Sequence, residues 1–353
     1  MRNKASAIIS VFCVAAAFSE RPCAAAEWKE SQSGAKVALR AVWIAGETAV
    51  FAVGDKGTIL ASKDGGATWE ARKSPSDGTI RALHFTDNLS GFAVSDGDSE
   101  APPARGHLLR SAGGKMTCGS LLVTKDGGET WTRGGWLHTN FELRAIRMVS
   151  PQFGMVCSHG GSSHPDGDVF LTRDGANFRG RRVSRGLNAC FWADENTAWA
   201  VGSRVVVRII PPPEDATYTN KNARIVATAD GGNTWTPQDA PGSDELRSVW
   251  FTDKERGVAV GERGTILRTE NGGKEWSKIE GGTGENLNGV AFAGAKFGVI
   301  VGDRGTILES DDGGASWKAV VSPVKRNLLG VHAAPDGSRA VAVGVDGTIL
   351  RRE

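Results

Sequence analysis

Two kinds of side chain in this sequence invite a chemical reading. The first is a set of arginines at a repeated position: Arg40, Arg81, Arg144 and Arg247 each follow a Leu or Ile that opens an apolar run. A guanidinium meets a carboxylate bidentately, so several of them together suit an acidic partner. Lys56, Arg263 and Arg304 recur in the turns GDKG, GERG and GDRG. The second kind is carboxylate: Asp166, Asp168, Glu214 and Asp215 would serve glycoside hydrolysis if a pair stood about 5 Å or about 6.5–9.5 Å apart. Nothing in the sequence sets that separation. A tyrosine nucleophile would have to be Tyr218, the only tyrosine, which lacks an arginine triad around it. His107, His138, His159 and His164 show no HxH or HExxH spacing. The GG pairs belong to turns and match no phosphate loop. No catalytic residue, metal site or cofactor is expected.

Those residues must be placed by a repeat. Segments beginning LRAVWIAG at Leu39, IRALHFTD at Ile80, LRAIRMVS at Leu143 and LNACFWAD at Leu187 align with one another. LRSVWFTD at Leu246, LNGVAFAG at Leu287 and LLGVHAAP at Leu328 complete the set. The best-preserved unit splits into LRSVWF, GVAVG, TILRT and EWSKIE, each strand-like and bounded by turn residues. Four short strands per unit describe a propeller blade. The fold class is therefore all-β: a seven-bladed β-propeller with four-stranded antiparallel blades.

The turn between third and fourth strands carries the Asp-box pattern DGGxxW. It pairs Asp64 with Trp69, Asp126 with Trp131, Asp230 with Trp235, Asn271 with Trp276 and Asp312 with Trp317. Asp174 with Phe178 is a degenerate copy. A side-chain oxygen accepts backbone N–H groups across the turn and the glycines take positive φ. A motif present in nearly every unit is a folding staple, since an active site occurs once. The seventh unit ends at GTILRRE without this turn, and Glu27-Trp28-Lys29-Glu30 resembles the start of a fourth strand. The N-terminal strand is expected to join the last blade and close the ring, which removes the open sheet edge.

In such a blade the second-to-third loops and the blade-to-blade connections share one face, and the Asp-box turns lie on the other. Insertions around 95–119, 159–168 and 204–223 all fall on the first face. Long loops on a rigid scaffold are where binding concentrates. Inner-strand second positions read Arg40, Arg81, Arg144, Asn188, Arg247, Asn288 and Leu329, so the arginines should ring the channel mouth on the inserted face. His84 and His332 sit further along the same strands, as packed or channel-lining residues.

Apolar residues make up 40% of the chain, enough to bury a core. Formal net charge is +2, which argues against nucleic-acid binding. Arg2 and Lys4, the apolar run from Ala5 to Phe18 and Ala24-Ala25-Ala26 read as a signal peptide over residues 1–26. The expected product is a periplasmic or secreted protein with no membrane span. Cys118, Cys157 and Cys190 remain after such cleavage; Cys157 and Cys190 replace apolar residues of sibling units and read as buried small hydrophobes.

The recurring VG-[DE]-[KR]-GTIL segment, the DGGxxW turn and the inner-strand arginines resemble the photosystem II stability and assembly factor family across roughly Glu27 to Glu353. That resemblance implies a soluble seven-bladed propeller, in the thylakoid lumen only if the organism is photosynthetic, acting as an assembly or chaperone-like scaffold with an arginine patch on one face. By position, Arg40, Arg81, Arg144 and Arg247 would form the patch. Asn188, Asn288 and Leu329 interrupt it, and the insertions are large. The expected partner is an acidic or C-terminal segment of a membrane or envelope protein, met by a monomer. The alternative function is a secreted glycan-active hydrolase.

Overall fold

The computed structural model describes residues 27–99, 119–137, 142–159, 166–206 and 222–353. The signal-like segment, His107, His138, His164, Tyr218, Glu214, Asp215 and Cys118 lie outside the described residues. Seven four-stranded antiparallel sheets form the chain, and six run in simple sequence order from inner to outer strand. The seventh takes its outer strand, Trp28–Ser31, from the other end of the chain. Trp28 pairs with Arg352 and Ser31 with Ile349, which closes the ring. Trp28 is buried, and its indole N–H donates to Glu309 Oε1 at 2.8 Å in the neighbouring blade.

Inner strands run Leu39–Ile44, Thr79–Phe85, Glu142–Met148, Leu187–Trp192, Leu246–Phe251, Leu287–Ala293 and Leu328–Ala333. The leading Leu39, Ile80, Leu143, Leu187, Leu246, Leu287 and Leu328 are each 0% exposed, so this position anchors every blade. Core clusters form between neighbouring blades. Phe153, Met155 and Cys157 of the third blade pack with Cys190, Trp192 and Trp235 of the fourth. Burying such interleaved apolar surface is worth about 25 cal/mol per Å², so a blade is stable only between its neighbours. Among the described residues no helix is long and apolar enough to cross a membrane.

The DGGxxW turns carry the bonds their residue types require. At Asp64, Oδ1 accepts from Thr68 N at 2.9 Å while Ser62 Oγ accepts from Gly66 N at 2.8 Å. Asp126, Asp230 and Asp312 repeat the bond to the fourth following amide at 2.9–3.0 Å, as does Asn271 at 2.9 Å. Asp174 accepts from Asn177 N at 2.7 Å, one residue earlier than its siblings, because its turn lacks the second glycine. Trp131, Trp235, Trp276 and Trp317 are buried, whereas Trp69 and Phe178 are partly exposed. These hydrogen bonds hold the Asp126 and Asp312 carboxyls down at about 2, with side-chain bonds from Thr130 and Ser316 the largest cause.

The VG-[DE]-x-G turn between second and third strands has an equally local cause. A Cβ on Gly261 would stand 2.0 Å from Glu245 O, and on Gly54 2.1 Å from Ala38 O. Only glycine lets the backbone come close enough for Glu262 N to donate to Glu245 O at 2.9 Å and Asp55 N to Ala38 O at 3.0 Å. These bonds set the acidic residue beside the start of the inner strand.

Candidate functional site

Every inner strand carries a β-bulge at the residue after its leading Leu or Ile. Register shifts fall between Leu39 and Ala41, Ile80 and Ala82, Leu143 and Ala145, and Leu246 and Ser248. The same shift recurs at Asn188, Asn288 and Leu329. A bulge adds an unpaired residue and re-aims its side chain. The residue after the leading Leu or Ile therefore turns from the interblade core toward the axis in every blade.

The consequence is one cavity of about 460 Å³ in the ring mouth. Arg40, Arg81, Arg144 and Arg247 line it together with Asn188, Asn288 and Leu329. The structure thus brings the four arginines to one place.

They are not bare charges. Arg40 forms a two-pronged pair with Asp55 at 2.7 and 3.0 Å. Arg81 reaches Asp96 at 2.6 Å and Glu142 at 3.5 Å, and Arg144 reaches Glu142 at 2.5 Å. Arg247 donates to Glu262 at 3.1 Å and to Asn288 Oδ1 at 2.7 Å. Asn288 in turn donates to Asp303 Oδ1 at 2.9 Å, and Asn188 to Glu245 at 2.6 Å. The mouth is an ion-pair lattice whose positive potential is largely offset, not an open cationic funnel. Its guanidinium planes are fixed in place by those acids, which favours a partner that meets them in a set geometry.

Four of these pairs follow a rule visible in the repeat. Arg40–Asp55, Arg81–Asp96, Arg247–Glu262 and Asn288–Asp303 are each separated by 15 residues. In the seventh blade the inner residue is Leu329 and the matching turn residue is Val345. Donor and acid vanish together there. Asp96 shows what desolvation does in this setting: burial raises its carboxyl above the ordinary range despite the opposing Arg81 charge.

Lys56, Arg263 and Arg304 occupy exposed turns on the mouth side, with φ of 56°, 52° and 54°. Arg263 pairs with Asp244, and Arg304 with Glu285 at 3.2 Å. The left-handed conformation costs a side-chain-bearing residue roughly 1–2 kcal/mol, so local stability alone would select glycine or asparagine. His159 ends the second strand of the third blade, and the backbone of Asp166 and Asp168 opens its third strand. Among the described residues no group of three His, Cys, Asp or Glu could hold a metal.

The other end of the channel holds a second cavity, of about 400 Å³. It gathers the fifth residues of the inner strands, among them Trp43, Arg147, Phe191, Trp250 and His332. Sequence reasoning passed over Arg147 because siblings carry Trp, His, Phe or Ala there, so no repeated residue type marks the position. Burial pushes His332 down to about 3 and His84 well below its ordinary value, with the Arg147 charge acting in the same direction. Cys157 and Cys190 are buried free thiols in the adjoining core.

Comparison with known proteins follows this geometry. Residues 213–283, from the fourth blade through the fifth, match the family model described as photosynthesis system II assembly factor YCF48. No curated protein sequence matches the chain. The solved structure "YCF48 bound to D1 peptide" superposes with a TM-score of 0.66 at 19% identity, over 92% of this chain and 94% of that one. YCF48 from Cyanidioschyzon merolae gives 0.66 at 16% identity, over 92% and 98%. The GH74 enzyme of Niastella koreensis gives 0.63 at 13% identity, over 92% of this chain and 53% of that one. The chain is similar to the assembly-factor propellers in repeat sequence and in fold. At these identities the structural likeness is one of fold, which scaffolds and hydrolases share.

Proposed function

We propose that this chain is an exported, non-catalytic protein-binding scaffold that assists assembly of an envelope or membrane protein complex. The arginine-lined mouth takes an acidic or C-terminal segment of the partner. One observation carries the reading: four blades each contribute an arginine, through the same bulge, to a single cavity. Paired acids hold the guanidinium groups in place, and an incoming carboxylate meets planes already oriented for it. Arg263, Arg304 and Lys56 extend the rim at a cost in backbone conformation, consistent with a role outside folding. The solved YCF48 relative is described as bound to a D1 peptide, which supports a membrane-protein segment as the class of partner.

The test is capture of partners from an envelope extract by the purified chain. Replacing Arg40, Arg81, Arg144 and Arg247 with glutamine should abolish capture while circular dichroism shows an intact ring. Undiminished capture removes the mouth from the mechanism. A glycan-substrate screen addresses the hydrolase alternative: turnover by the wild type would displace the scaffold reading.

A further inference from the structure

We infer that the channel end opposite the arginine-lined mouth is a binding site for a small planar carboxylate, held by Arg147 in a cage of aromatic rings. Three features of the cavity carry this.

The first is the state of Arg147. Its guanidinium carbon stands 4.5 Å from the Phe191 ring centre, 4.7 Å from Trp250 and 5.3 Å from Trp43. Among the described residues it makes no hydrogen bond and no salt bridge. Every mouth arginine, by contrast, has a carboxylate. Aromatic faces satisfy a guanidinium from above and below but leave its in-plane N–H groups unanswered. Arg147 is half-buried, so its N–H groups reach the cavity, and a ligand carboxylate would supply the partner that the protein leaves out.

The second is the composition of the walls. Among the described residues Asp87 is the one carboxylate lining the cavity, and it is committed to its own turn, accepting from Leu89 N and Ser90 N at 2.7 Å each. His84 and His332 flank Trp43, with ring centres 4.3 and 4.0 Å away. Burial holds both imidazoles below their ordinary values, and Arg147 is the one Lys or Arg among the described lining residues. His332 Nδ1 already accepts from Ile44 N at 3.3 Å, so the charged contact to a ligand is left to Arg147.

The third is shape. At about 400 Å³ the cavity is in the range of small-molecule sites. Phe85, Phe251 and Phe292 continue its apolar wall beyond the cage. A flat apolar body ending in a carboxylate fits a wall of rings with one guanidinium at its base.

Benzoate is the probe, and isothermal titration of the full chain is the measurement. Benzoate should bind and benzyl alcohol, its uncharged analogue, should bind at least tenfold more weakly. Arg147→Met keeps the aliphatic stem and should weaken benzoate by about tenfold to a hundredfold, the range of a charge-assisted hydrogen bond. Arg147→Lys keeps the charge without the fork and should fall between. Lys318→Gln, exposed on an outer strand and lining neither cavity, should leave benzoate affinity unchanged. Equal binding of benzoate and benzyl alcohol overturns the proposal. So does unchanged benzoate affinity in Arg147→Met with an intact melting transition, or loss of binding in Lys318→Gln alone.

Discussion

Replacing His332 with glutamine should flatten the acid dependence of stability between pH 6.5 and pH 4.5. In the folded protein this imidazole is fully enclosed and is held down to about 3, first by burial and then by the Arg147 charge. In the unfolded chain it titrates near 6.5. A folded value below the unfolded one means that the unfolded state binds the proton first. The contribution is therefore intact above pH 6.5 and is lost as pH falls toward 3. Two units below 6.5, the linkage integrates to about 2 kcal/mol for this single residue. The window is clean with respect to the turn carboxylates. Asp126 and Asp312 are held near 2, so their stabilisation is present above about 4 and is lost only below it. Asp96, raised by burial, is common to both proteins and cancels in the difference. Glutamine retains an acceptor for Ile44 N, which His332 Nδ1 meets at 3.3 Å. Urea unfolding at the two pH values gives the result directly. The wild type should lose about 2 kcal/mol more than the variant. Equal losses would show that the channel imidazole is hydrated in the fold and would refute the enclosed-channel reasoning.

Three further outcomes follow from the same geometry. Gly261→Ala should destabilise by about 1–3 kcal/mol or more, because its Cβ would meet Glu245 O at 2.0 Å; thermal unfolding measures it, and a neutral result would contradict the close-approach argument. Lys56→Gly should be neutral to about 1 kcal/mol stabilising, since it relieves a left-handed side-chain-bearing residue, while partner capture weakens; a destabilised variant would assign Lys56 a folding role. Cys157 and Cys190, buried and with the Cys157 thiol pushed up by burial, should resist iodoacetamide in the native protein and react once denaturant unfolds it. Rapid native labelling would show that the interblade core opens.

Much of the ring was legible because its determinants are local and repeated. Leu246, the DGGxxW turns and the VG-[DE]-x-G turn each report a contact made within one blade or with its neighbour, so seven copies in sequence become seven blades. The placement of Trp28 beside Arg352 was legible for the same reason: the seventh unit lacks what the N-terminal segment supplies. The ion pairs of the mouth were harder to see. Arg40 and Asp55 lie on different strands, and only the bulge at Arg40 aims the two side chains at each other. The joint loss of donor and acid at Leu329 and Val345 was a signal of that pairing in the sequence itself. Arg147 left no such trace. Its position in the repeat is filled by unlike residues whose shared property, facing the channel, exists only once the ring has closed.

The account turns on which face receives the partner. A photo-crosslinking amino acid placed at Lys56, on the mouth side, and separately at Asp311, in a turn on the opposite face, reads this in cells. Covalent adducts should form from Lys56, be absent from Asp311, and disappear when Arg40, Arg81, Arg144 and Arg247 become glutamine in a chain that still melts cooperatively. Adducts from Asp311 alone, or adducts from Lys56 that survive those four substitutions, would contradict it.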